Sequence, residues 1–157
     1  MPDFSIRSPD LERLADLFPK AAKQLEREIV SAVEAAAKRG QDEVRRRTPI
    51  KTARLYHAIS YRVIHNGPFV RAEVYVDPSL GADYADFVEE GTRPHTIFPL
   101  TAKVLRFRIG GRFVFARSVN HPGTRGAHMF RDGGAAMEAY ADQLLSQAMD
   151  RVLKEFL

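Results

Sequence analysis

Five histidines and a scatter of carboxylates are the residues of this chain whose types are suited to catalysis. His95, His121 and His128 fall in loop-forming stretches near Asp86, Glu89, Glu90 and Asp132. Histidine nitrogens and carboxylate oxygens together would support a divalent metal, and a metal-activated water would make a small hydrolase. The spacing gives that reading little support. No histidine pair shows HExxH or another compact ligand pattern. The simpler alternative is that these histidines bond loop carbonyls. Glu89-Glu90 resembles a paired acid and base, but adjacent helical residues point about 100° apart and do not converge on one atom. The expected arrangement is one solvated carboxylate and one paired with an arginine. There is no cysteine, which removes disulfides, thiolate metal sites and a thiol nucleophile. No serine stands in a nucleophile-elbow context, and Ser118 lies within a strand pattern. The expectation is a protein with no catalytic residues, no cofactor and no metal.

The basic residues carry a second possibility. Arg45, Arg46 and Arg47 form the tightest basic run and would meet phosphates, or else sit as a solvated, dipole-favoured helix end. Arg106, Arg108 and Arg117 alternate along a strand pattern with Phe107, Phe113 and Phe115 nearby. Basic and aromatic residues on one sheet face are a common way to hold single-stranded nucleic acid. Alternation turns Phe107 away from Arg106 and Arg108, so the phenylalanines are expected in the core and the arginines on the surface. Gly110-Gly111 reads as a hairpin turn. Gly133-Gly134 reads as the approach to a helix N-terminus, where an anion would fit.

The elements that position these residues follow from periodicity. Ser8-Pro9-Asp10 is a helix start, with a capping hydroxyl, proline at the first helical position and an acid in the first turn. Leu11, Leu14 and Leu17 follow at helical spacing, and Pro19 is expected to break or restart the helix. Leu25, Ile29, Val33, Ala36, Gly40 and Val44 form a narrow stripe rich in small residues, which suits close packing along another surface. Thr48-Pro49 ends it. The period then changes to two. A hairpin runs from Tyr61 to Val76 around Asn66-Gly67-Pro68. A short helix spans Tyr84 to Glu90, with Gly91 as its left-handed cap. A second hairpin surrounds Gly110-Gly111. A last helix runs from about Gly134 to Phe156, with Met137, Tyr140, Leu144, Leu145, Ala148 and Val152 on its buried face. The expected class is α+β, one antiparallel sheet of two hairpins packed with a long, a short and a C-terminal helix.

The composition is that of a soluble globular protein, 45% hydrophobic and 28% charged with a net charge of +4. At 157 residues the chain is expected to form a single domain, residues 1–157, with residues 1–47 a helical arm that packs on neighbouring subunits. No apolar run suited to a signal peptide opens it, and nothing approaches the ~18 apolar residues of a membrane span.

Two segments are the most specific. One is Tyr84-Ala85-Asp86-Phe87-Val88-Glu89-Glu90-Gly91-Thr92-Arg93-Pro94-His95, and the other is Asn120-His121-Pro122-Gly123-Thr124 leading to Phe130. Thr48-Pro49, the Thr52–Tyr56 segment and Ala58-Ile59-Ser60 precede them in order. This order resembles the minor-tail or tail-completion (neck) proteins of long-tailed bacteriophages and prophages, over nearly the whole chain. One departure is Ala53, where that pattern often has glycine, so a positive-φ turn is not expected there. The resemblance implies a non-enzymatic virion component at the head–tail junction, assembled in the host cytoplasm. It implies a ring of copies of itself around the DNA channel, contacting other neck, connector or tail proteins, with genomic DNA passing through the lumen and no membrane involved. On that reading Tyr84, Phe87 and Val88 anchor the short helix in the core. Glu89 pairs with an arginine or caps a loop amide, within the subunit or across subunits. Gly91 and Gly123 set turns beside Thr92 and His121, and Pro94 and Pro122 stiffen loops that meet a neighbour. Arg45, Arg46, Arg47, Arg106 and Arg108 face the DNA channel or an acidic partner. The alternatives are a nucleic-acid-binding module built on the second hairpin and a small metal-dependent hydrolase.

Overall fold

The longest element follows from the longest run of good helix formers. In the computed structural model, which describes residues 9–51, 53–67 and 69–156, α1 spans Pro9–Arg47 without interruption. Pro19 lies inside it and does not break it. The residues around it, Asp16–Lys20, are all exposed, so water can take up the carbonyl that lacks its helical partner. Ser8, Thr52 and Pro68, named above in a helix cap, a short segment and a turn, lie outside the described residues.

The small-residue stripe does what its width implies. Ala32, Ala36, Ala37 and Val44 are buried along α1, and α4 (Met129–Phe156) lies antiparallel against them. The crossing is close because two glycines permit it. A Cβ on Gly40 would stand 2.6 Å from Met137 Sδ, and one on Gly133 would stand 2.5 Å from Val44 Cγ2. Arg151 reaches across to Glu28 at 2.6 Å further along the pair. Gly133 and Gly134 therefore do not precede α4. They are its second turn, and the anion site expected there does not exist.

Helix α2 (Arg54–Ala58) leads into the first hairpin, β1 (Ile59–Asn66) and β2 (Phe69–Val76). Its register runs from Ile59 opposite Val76 to Asn66 opposite Phe69. Ala53 caps α2 at φ 57°, so the positive φ is present even without glycine. Alanine there costs about 1–2 kcal/mol of backbone strain. The surrounding chain enforces it, since Leu55 and Ala58 just beyond are buried in the core.

That core is small. Val44, Leu55, Ala58, Ile59, Ala82, Ala85 and Met129 are buried together, with Val74, Val76, Val88 and Phe130 packed around them. A 3₁₀ turn (Pro78–Leu80) and α3 (Ala85–Glu90) close its edge. Beyond α3, short strands pair in nested order. β3 (Gly91–Thr92) pairs with β8 (Thr124–Arg125), β4 (His95–Ile97) with β7 (Val119–His121), and β5 (Leu105–Ile109) with β6 (Arg112–Ala116). The class is α+β as expected. However, the two hairpins do not join in one sheet. Among the described residues four separate two-stranded ladders form instead. Three of them are stages of one arm that leaves α3, turns at Gly110-Gly111 and returns to α4.

Charge is also settled locally. Glu43 is buried on α1, yet it accepts from Arg46 and Arg47 and pairs with Arg39 at 2.9 Å. Hydrogen bonds from Arg46 and Arg47 hold its carboxyl down to about 2, well below its ordinary 4.5. Arg45 Nη2 donates to the Ile59 carbonyl at 2.8 Å and lies over the Tyr56 ring. Each arginine of the basic run is therefore engaged inside the subunit, Arg45 at the Ile59 carbonyl and Arg46 and Arg47 at Glu43, while the Arg46 side chain stays exposed.

Two outcomes follow. Gly133→Ala should lower stability by about 1–3 kcal/mol through overpacking against a stiff valine, whereas Gly40→Ala should change it by less than about 1 kcal/mol because Met137 can repack and alanine favours helix. Denaturant titration separates them. A carboxyl with a depressed folded-state pKa contributes stability above its ordinary value and loses it as acid protonates the folded form. The wild-type melting temperature should therefore fall between pH 4.5 and about 2, and Glu43→Gln should flatten that part of the profile.

Candidate assembly surface

The root of the arm is built by Glu89. The last carbonyls of α3 need partners that the helix cannot supply. Val88 O accepts from Ala127 N at 2.8 Å and Glu89 O from His128 N at 3.1 Å. The Glu89 side chain completes the connection: Oε2 accepts from Phe130 N at 2.9 Å and Oε1 from Arg131 N at 3.0 Å. Those two amides open α4, so a carboxylate from a distant segment caps them and meets the positive end of the helix dipole. Of the roles expected for Glu89, capping amides within the subunit is the one present. Glu90 is exposed.

Above the root, the two segments singled out in the sequence lie side by side. Gly91 faces Arg125, Thr92 faces Thr124 and His95 faces His121. Thr92 Oγ1 accepts from Thr124 N at 3.0 Å, and Thr96 Oγ1 donates to Asn120 Oδ1 at 2.9 Å. Pro94 and Pro122 fall in the gap between the two ladders, where neither missing N–H is needed. The glycines allow backbone to touch backbone. A Cβ on Gly123 would stand 2.2 Å from Thr92 O, and one on Gly126 would stand 2.4 Å from Glu89 O. Gly91 has φ 79° and ψ −172°, a positive-φ extended conformation, so it is not the left-handed cap expected.

The histidines serve this loop structure. His95 Nδ1 donates to the Arg93 carbonyl at 2.8 Å, and Gly123 N–H donates to His121 Nδ1 at 3.1 Å. Their rings lie 5.2 Å apart. Among the described residues, no three His, Cys, Asp or Glu come together as a metal site.

Two expectations about aromatic residues are corrected. Tyr84 and Phe87 do not anchor α3 in the core. They are exposed, Phe87 at 64%, and line surface grooves against Gly91–His95 and against the Pro49–Leu55 segment. Ala82 and Ala85, buried in one cluster with Met129, hold α3 in place, with Val88 packed against that cluster. On the second hairpin, Phe107 is half-buried as expected, but Phe113 and Phe115 are exposed. The register explains this. Arg108 pairs with Phe113 and Arg106 with Phe115, and cross-strand partners share a face. Both guanidiniums lie over the Phe113 ring, at 4.6 and 4.7 Å.

The pairing of the two segments was not read from the sequence, although a signal for it exists. Gly91-Thr92-Arg93-Pro94-His95 and His121-Pro122-Gly123-Thr124-Arg125 are near mirror images, as two legs of an antiparallel ladder would be.

A family model described as "Bacteriophage HK97-gp10, putative tail-component" matches residues 12–91, just over half of the chain. The chain belongs to the HK97-gp10-like family. No curated protein and no solved structure matches it. The matched span of this HK97-gp10-like protein carries α1, the first hairpin and α3, and it stops at Gly91, where the arm begins. A tail-component family points to a structural part, to other tail proteins as partners and to the virion as its place. Among the described residues no helix is long and apolar enough to cross a membrane.

Glu89→Ala should lower stability by about 1–2 kcal/mol, the range for loss of an N-terminal cap. Amide exchange should accelerate in the first turn of α4 and along Gly91–Thr92, and remain slow in the α1–α4 crossing.

Proposed function

We propose that this protein is a structural subunit of the head–tail junction of a long-tailed phage, closing the tail as a ring of identical copies around the DNA channel. Membership in a tail-component family carries this reading. The surface supports it. The chain exposes 12387 Å², against about 8,000 Å² for a compact monomer of its 17.7 kDa. Much of that surface is apolar. Phe18, Ile50, Phe69, Phe87, Phe98 and Leu100 all stand in solvent in the isolated subunit, and such surface marks sites of association. The exposed Leu17 and Phe18 of α1 suit packing on a neighbouring subunit. The arm carries Pro94, Pro122 and the Arg106–Arg108 face outward from a fixed root, where other virion proteins or the passing DNA would meet it.

A second reading rests on the arginine–phenylalanine face of β5–β6, which has the character of a single-strand nucleic-acid surface. The two readings separate by experiment. A phage lacking this gene should yield DNA-filled heads and tails that fail to join, visible by electron microscopy and restored by the gene in trans. Normal joined particles from the deletion would refute the junction role. Steeply salt-dependent oligonucleotide binding by a protein absent from purified virions would favour the second reading.

A further inference from the structure

The charges of this chain fall into two blocks. From Ala72 to Thr92 there are six carboxylates and no Lys or Arg, and from Arg93 to Arg131 there are eight Lys or Arg and no carboxylate. The second block is the arm. It holds more than the whole net charge of +4, and the rest of the chain is net negative. The blocks do not neutralise each other within the subunit. Among the described residues, no ion pair joins them: of the basic block only Arg131 has a carboxylate partner, Asp132, and Asp83, Asp86 and Glu90 have none. All three of those acids are exposed, flanking Tyr84 and Phe87 on the outer side of α3.

The tip of the arm also lacks support. β5 and β6 pair with each other and make no other extended contact. An isolated two-stranded hairpin is marginally stable in water and is held by what it packs against. Its outer face offers Arg106, Arg108 and the exposed Phe115, with Ile109 beside the turn. Arginine and aromatic residues are the types that dominate protein interfaces.

We infer that the arm of one copy docks on the α3 edge of the next, with Arg106 and Arg108 against Asp83, Asp86 and Glu90, and Phe115 against Tyr84 and Phe87. The inference rests on the ring reading above and names the two surfaces that would form the ring. The contact is heterologous: one patch of each copy meets a different patch of its neighbour. Repeating it closes a ring, and a copy with either patch removed ends the chain. The acidic patch lies at the root of the arm and the arginine patch at its tip, and Glu89 ties α3 to the returning leg of the arm. That root fixes where the arm leaves the α3 edge, and docking on a neighbour would give the tip the support it lacks.

The test is a charge exchange on purified full-length protein, read by sedimentation equilibrium at low and high salt. Wild type should self-associate at low salt and weaken as salt rises. Arg106→Glu with Arg108→Glu should weaken association about tenfold or more, and so should Asp83→Lys with Asp86→Lys. All four changes in one chain should restore it. Circular dichroism checks that each variant is folded, which these exposed positions permit. Protein that stays monomeric at high concentration in low salt overturns the inference. So does a folded four-fold variant with no recovery, or association indifferent to either pair. Loss of oligonucleotide binding in the arm variant with self-association unchanged would assign the face to nucleic acid instead. The deletion phage keeps the two ideas apart. Unjoined tails with a monomeric protein would sink this contact and spare the junction role, and the opposite pair of results would do the reverse.

Discussion

One carboxylate reaching two amides fixes the geometry of this protein. Glu89 lies in the last turn of α3, and its oxygens cap Phe130 and Arg131 at the start of α4, while its own carbonyl accepts from His128. A helix terminus with free amides and a helix terminus with free carbonyls are each incomplete. Here each completes the other. His128 adopts φ 49° to make the turn between them, which a side chain rarely does without compensation. The compensation is the set of bonds on either side.

Everything beyond that root inherits its position. The arm leaves at Gly91 and returns at Gly126, and both glycines lie against backbone with no room for a side chain. The proteins of this family are tail components, and a part that joins others must present its surfaces at a fixed angle. A small core of mostly small residues cannot hold a long arm by burial alone. Directed backbone bonds do it with little mass. The same economy leaves large apolar side chains in water, where only association would cover them.

The close crossing of α1 and α4 answers the same problem from the other side. Gly40 and Gly133 remove the side chains that would keep the helices apart, and Ala32, Ala36 and Ala37 fill the seam. The basic run at the end of α1 is engaged within the subunit, with Arg46 still exposed. Glu43 gathers Arg39, Arg46 and Arg47, and Arg45 turns to the Ile59 carbonyl. On the arm, by contrast, Arg131 is the one Lys or Arg with a carboxylate partner among the described residues.

The sequence by itself determined which long stretches are helix and which form the two hairpins, because these rest on local periodicity and on residues such as Gly110-Gly111 whose conformations are intrinsic. The α1 stripe was legible for that reason, and so was the order of motifs that marks a phage tail protein. Facing was legible only along a single strand. Phe107 came out as expected, but Phe113 and Phe115 depended on their partners across the hairpin, and register is a property of two strands. Ala53 keeps a positive φ because the buried residues after it impose the path, which no local preference reveals. Tertiary structure alone decided that Glu89 caps a helix 41 residues away and that the two loop motifs are legs of one arm. Contacts across such separations are chosen by which backbone groups would otherwise stay unpaired, and that is known only once the chain has folded.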